Sequence, residues 1–148
     1  TRERFFAKIQ GHFKPAGGLA GKSLAFWGIA FKPRTDDIRE APALTLMRKA
    51  LGFGAKVRAF DPVANENARR ELGHSVEVLD DMYEAARGAD ALVVCTDWDE
   101  FKSPDWDRLS GLMKERAVFD GRNLYLRVPL AEKGFAHYAV GKAATRPR

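Results

Sequence analysis

The sequence predicts a doubly wound α/β fold, a mainly parallel sheet with helices on both faces. Two observations carry this. Short apolar runs alternate with helical patterns along the 148 residues. One run, Ala89–Thr96, is apolar almost without a break, as in a parallel strand covered on both sides.

The elements follow in order. Phe5, Ile9 and Phe13 recur at helical spacing and predict a helix over residues 1–13. Lys14–Lys22 is glycine-rich and reads as a linker. A strand is expected at 23–28. A helix at 42–52 starts on Pro42, turns Leu44, Met47, Ala50 and Leu51 inward, and ends at Gly52 and Gly54. Ala55–Phe60 is a second strand, closed by Asp61-Pro62. A helix at 64–72 stops at Gly73; Val76–Leu79 is a short strand and Met82–Arg87 a short helix. After the strand Ala89–Thr96 come a helix at 104–114, the strand Ala117–Asp120, a short helix near 128–133 and the strand Phe135–Val140. Residues 143–148 are expected to be a disordered tail.

Hydrophobic residues make up 45% of the chain, enough for one domain with its own core. The net charge of +5 favours phosphate-bearing partners, but the cations are scattered among 20 acids. No basic stripe with interleaved aromatics is present, which argues against nucleic acid. The single cysteine rules out an intramolecular disulfide and fits a reducing compartment, so a cytoplasmic location is expected. No apolar run is long enough to span a bilayer, and no signal peptide is seen, so no membrane partner is expected. The chain lacks an initiating methionine and opens on a helix already in progress, which suggests a piece of a longer protein.

A Rossmann-like sheet of this kind binds ligands outside the carboxyl ends of its strands. The segment Gly28–Pro42 crosses from a strand to a helix there, and it carries Lys32, Arg34, Arg39, Asp36 and Asp37. Asp61 ends the second strand, Thr96-Asp97-Trp98 ends the apolar one, and Asp120-Gly121-Arg122-Asn123 ends a later one. Lysine and arginine at such an edge neutralise phosphates, arginine with bidentate geometry. Gly121 permits a sharp turn or close backbone approach.

Only Gly28 of a G-x-G-x-x-G fingerprint is present, so a complete dinucleotide site is not expected, although Asp61 occupies the position of a ribose-binding acid. Plainer roles stand beside the functional ones. Asp36 and Asp37 either cap a turn and offset Arg34 and Arg39, or meet a ligand. Thr35 reads as an N-cap or turn former, Asp61-Pro62 as a turn, and Trp98 and Trp106 as packing under a loop. Cys95 lies in the apolar run, where a buried thiol is inert. His12, His74 and His137 share no spacing with acids, so no metal is expected. No Ser-His-Asp grouping stands out.

Gly28-Ile-Ala-Phe-Lys-Pro-Arg-Thr-Asp-Asp-Ile-Arg-Glu-Ala-Pro42 resembles the hallmark of nucleotide-sugar 6-dehydrogenases, the UDP-glucose/GDP-mannose dehydrogenase family. Lys56–Pro62, Thr96–Phe101 and Val118–Tyr125 resemble further segments of that family's C-terminal domain, in the same order, and the likeness covers residues 20–142. Trp98–Phe101 and Asp120–Tyr125 look most like the UDP-glucose branch. Trp27 and Leu126-Arg127 depart from the usual pattern, as does the ending Gly141-Lys142.

The resemblance implies oxidation of UDP-glucose to UDP-glucuronate with reduction of NAD, through covalent intermediates on a cysteine. Cys95 does not match that cysteine's motif, and the family's NAD fingerprint belongs to an N-terminal domain. The implied organisation is the end of a central connecting helix and linker at 1–20, then a UDP-sugar-binding domain at 21–142. Phe31, Lys32 and Arg122 match residues that hold the nucleotide sugar, and Arg39 matches an arginine that reaches toward NAD. UDP-glucose and the N-terminal and central domains are the implied partners, with a homo-oligomer when full-length, and no activity is expected of these residues alone. A GDP-mannose or UDP-N-acetylmannosamine 6-dehydrogenase and a non-catalytic nucleotide-sugar-binding module stay open. A basic nucleic-acid-binding domain is a weaker reading.

Overall fold

The computed structural model describes residues 2–30 and 32–148. Its elements are α1 (Arg2–Phe13), β1 (Ser23–Trp27), α2 (Pro42–Gly52), β2 (Lys56–Phe60), α3 (Asn65–Leu72), β3 (Glu77–Val78), α4 (Met82–Ala86), β4 (Ala91–Val94), α5 (Asp99–Lys102), α6 (Trp106–Leu112), β5 (Ala117–Asp120) and β6 (Ala136–Ala139). The strands form one six-stranded sheet in the order β3-β2-β1-β4-β5-β6. Every pairing is parallel. The doubly wound α/β expectation therefore holds.

Side chains alternate across each strand, and the alternation sorts the interior into two layers. Leu24 and Phe26 of β1 join Val57, Val93 and Phe119 under α1, α2 and α3. Ala25 and Trp27 join Leu92, Val94 and Val118 under α4, α5 and α6. Phe5, Ile9 and Phe13 are buried as the helical spacing predicts, and Phe6 joins them. Trp27 stacks on Phe101 with ring centroids 5.3 Å apart, and its indole N–H donates to the carbonyl of Met82 at 2.8 Å. The large ring at a departure from the family pattern thus has a built place in the second layer.

Three details differ from expectation. The helix expected at 104–114 is shorter, Trp106–Leu112, because Asp105 caps it by accepting the backbone N–H of Arg108. A separate turn of helix, α5, precedes it. The segment near 128–133 is a chain of turns, with Lys133 N–H on the carbonyls of Pro129 and Leu130, rather than a helix. The tail at 143–148 has a tie to the sheet: His137 and Thr145 exchange backbone hydrogen bonds of 2.8 and 3.0 Å. No helix among the described residues is long and apolar enough to cross a membrane.

Candidate functional site

The sheet order reverses between β1 and β4. Chain leaving β1 turns toward β2, and chain leaving β4 turns toward β5, so a crevice opens at their carboxyl ends. Two glycines make the backbones meet closely there. Gly28, at φ +94°, lies against Thr96, and the Thr96 hydroxyl donates to the carbonyl of Ala30 at 3.1 Å. Gly121 donates its N–H to the carbonyl of Val94 at 2.8 Å, and a Cβ on it would lie 2.7 Å from that oxygen.

Two neighbouring hollows occupy this edge. The larger, about 670 Å³, is lined by Lys32, Thr35, Asp37 and Arg39. The smaller, about 220 Å³, is lined by Phe5, Leu46, Cys95, Gly121 and Arg122. Arg2 and Pro42 line both. The structure thus brings Lys32, Arg39 and Arg122 to one edge, in adjoining hollows. Phe31 lies outside the described residues.

The three cations differ in their surroundings. Lys32 is exposed and makes no ion pair among the described residues. Arg39 forks onto Asp37 with hydrogen bonds of 3.0 and 2.9 Å, and Asp37 also accepts the Arg39 backbone N–H at 3.0 Å. The Arg39 side-chain hydrogen bond holds the Asp37 carboxyl well down, at about 2, and the same bond raises Arg39. Both groups face solvent, so the pair opens readily to a competing anion. Arg122 is half-exposed with a guanidinium nitrogen 3.5 Å from an Asp97 oxygen, in attraction without hydrogen-bond alignment.

Two aspartates that ended strands in the sequence serve the backbone instead. Asp61 is fully buried and accepts from four N–H groups: Ile29 and Ala30 on one oxygen at 2.8 and 3.0 Å, Val63 and Ala64 on the other at 2.9 and 3.0 Å. It clamps the loop leaving β1 to the loop leaving β2. Asp120, also fully buried, accepts from the backbones of Leu124 and Tyr125 at 2.9 Å each and from His137. Burial pushes the Asp120 carboxyl up, but these donors more than offset it and hold it below the usual range. Thr35 accepts the N–H of Asp37 at 3.1 Å and forms the expected turn.

Two further residues matter in ways that the sequence does not show. Arg2 reaches the site through α1, a tertiary effect with no local signal. Asn123 sits at φ +53° and pairs its amide with both backbone groups of Val140, at 2.8 and 3.1 Å. Asparagine tolerates that left-handed conformation better than most residues, which was the available clue.

The remaining candidates are quieter. Burial pushes the Cys95 thiol up to about 12, with Arg122 pulling weakly the other way, so it is not a nucleophile as it stands. His12, His74 and His137 lie apart: His12 on the phenol of Tyr138 at 2.8 Å, His74 exposed, His137 on Asp120. Trp106 is buried edge-on to Tyr125 and Phe135, as expected of packing.

The model of the UDP-glucose/GDP-mannose dehydrogenase family, UDP binding domain, matches residues 25–127. The UDP-glucose 6-dehydrogenase of Pseudomonas aeruginosa is 43% identical over 131 residues, covering 85% of this chain and 29% of that protein. A UDP-glucose dehydrogenase structure from Pyrobaculum islandicum superposes with a TM-score of 0.77 at 30% identity, over 96% of this chain and 30% of that one. A UDP-D-ManNAc dehydrogenase structure from Pyrococcus horikoshii does so with a TM-score of 0.74 at 29% identity, over 93% of this chain and 30% of that one. The chain therefore spans under a third of the length of these relatives.

Proposed function

Because this chain belongs to the UDP-glucose/GDP-mannose dehydrogenase family and matches its UDP binding domain, we propose that it is the substrate-binding lobe of an NAD-dependent UDP-glucose 6-dehydrogenase. In this reading, the whole enzyme oxidises UDP-glucose to UDP-glucuronate. The observation that carries the reading is the convergence of Lys32 and Arg122 on adjoining hollows at the sheet reversal. A nucleoside diphosphate carries the charge these cations match, and charge-assisted hydrogen bonds to it are strong. Phe31, Lys32 and Arg122 hold the nucleotide sugar. Arg39 exchanges Asp37 for a phosphate of NAD across the cleft.

The turn after β1 does not fit a dinucleotide by itself. It carries one glycine of the fingerprint, and both oxygens of Asp61 are already taken by backbone N–H groups. In this reading, NAD rests mainly on another domain, and the reactive thiol comes from outside these residues, since Cys95 is held protonated. Residues 1–20 are then the end of a connecting helix and linker, and residues 1–148 alone do not oxidise UDP-glucose. UDP-glucose and the remaining domains are the partners, and the full-length protein is a homo-oligomer.

The second reading is a family member acting on another sugar nucleotide, and the likeness to the Pyrococcus horikoshii UDP-D-ManNAc dehydrogenase structure favours it over more distant ones. An amide-resolved NMR titration with UDP, GDP and NAD tests the proposal. Shifts at Lys32 and Arg122 with UDP, weaker with GDP, are expected. A preference for GDP moves the assignment to the GDP-mannose branch, and the absence of shifts at both residues with any nucleotide overturns their role.

A further inference from the structure

We propose that His137 is a positioning residue for Arg122, acting through the buried carboxylate of Asp120. The inference rests on the reading that Arg122 meets the nucleotide sugar. The parallel register pairs Val118 with His137 and Asp120 with Ala139, so Asp120 and His137 lie diagonally on one face of the sheet. Both are buried, Asp120 fully and His137 to 7% exposure. His137 Nε2 lies 3.1 Å from Asp120 Oδ2. A carboxylate there fixes the tautomer with the proton on that nitrogen.

The same carboxylate organises the turn that carries Arg122. Oδ1 accepts the N–H of Leu124 at 2.9 Å and that of Arg122 at 3.3 Å, and Oδ2 accepts the N–H of Tyr125 at 2.9 Å. Among the described residues, His137 is the donor to Asp120 that comes from outside this turn. It therefore sets how the carboxylate is rotated, and the carboxylate sets where the backbone of Arg122 lies. His137 is itself anchored, since its backbone exchanges two hydrogen bonds with Thr145.

The turn has other supports. Gly121 is bound to Val94, and Asn123 to Val140. Loss of the imidazole shifts the turn without releasing it, and the effect falls on ligand binding before it falls on folding. A glutamine at 137 keeps a donor at Nε2 and preserves the arrangement.

The test titrates UDP into the 148-residue chain and into its His137→Ala, His137→Gln, Arg122→Ala and His137→Ala/Arg122→Ala variants, with Tm recorded for each. His137→Ala is expected to weaken UDP binding roughly three- to tenfold, and His137→Gln by less than about twofold. In the Arg122→Ala background, His137→Ala adds less than about twofold, because both changes act on one contact. Without nucleotide, the amides of Arg122, Leu124 and Tyr125 move in His137→Ala and return in His137→Gln. An equal loss with and without Arg122, or a glutamine variant as weak as the alanine one, overturns the inference. If Arg122→Ala weakens binding and His137→Ala does not, the inference fails and the reading of Arg122 survives. If Arg122→Ala leaves UDP affinity unchanged, both fail.

Discussion

Gly28 packs against Thr96 so closely that a Cβ on Gly28 would lie 2.4 Å from the Thr96 hydroxyl oxygen and 2.8 Å from its backbone nitrogen. Thr96 is buried and cannot retreat. The chain leaves β1 at φ +94°, which L side chains rarely adopt. Gly28→Ala is therefore expected to cost about 3 kcal/mol, from backbone strain and overpacking together. Urea denaturation measures it, and a loss under about 1 kcal/mol would show that β1 and β4 can part at little cost.

Asp61 supplies the acceptors for four buried N–H groups from two loops. Asp61→Ala strands all four, and a loss of about 3–5 kcal/mol is expected. Asp61→Asn has one acceptor oxygen and points an amide at N–H groups, so it is expected to fall well below the parent too. A neutral Asn variant in the same denaturation series contradicts the clamp.

If the full-length protein is the UDP-glucose 6-dehydrogenase proposed above, Lys32→Ala and Arg122→Ala are each expected to raise its KM for UDP-glucose about tenfold or more, with kcat within about twofold. Steady-state kinetics decide this. Equal losses in kcat would mean that the two cations serve the chemical step rather than binding.

Burial holds His12 below the ordinary histidine value of 6.5; Glu115 opposes this and Arg146 adds to it. The unfolded chain thus binds the proton more readily than the folded one. The stabilisation is present above pH 6.5 and is lost as pH falls through the ordinary value toward the folded one. Urea midpoints are expected to drop between pH 7.5 and 5.5, and His12→Gln to flatten that slope. An unchanged slope in the variant assigns the drop to other groups.

With its thiol pushed up to about 12 by desolvation, Cys95 holds far less thiolate at neutral pH than an unperturbed cysteine, although its side chain is part-exposed in the small hollow. Iodoacetamide is expected to label it markedly more slowly in the native state than after unfolding in urea. Rapid native labelling, read by intact mass, would show that the part-exposed thiol in the small hollow ionises more readily than its surroundings imply.

Much of the fold could be read from the residues because periodicity is local. Pro42 and Gly52 bound α2 where the sequence puts them, and Ala117–Asp120 is the strand expected. Short elements escaped: Asp99–Lys102 is a single turn, below the length at which helical spacing can be recognised. Near 128–133 the expected helix gives way to successive turns, with Pro129 unable to donate a backbone hydrogen bond. At the site, Lys32, Arg39 and Arg122 stood out as cations at strand ends. Asp61 reads as a turn at the position of a ribose-binding acid and Asp120 as a polar strand end, and only the fold reveals the N–H groups that occupy both carboxylates. Arg2 carries no such hint, since α1 brings it to both hollows through packing far from its own sequence neighbours.

The tie between His137 and Thr145 also bears on how copies of this chain meet. A strand at the border of a sheet offers unpaired N–H and C=O groups to any other strand that arrives. β3 has two residues at one border, and β6 has four at the other. Thr145 satisfies both outward backbone groups of His137, inside β6. Neither border presents a long open ladder, so the sheet resists growing by edge-to-edge association, and removal of residues 143–148 would expose the more dangerous of its two margins.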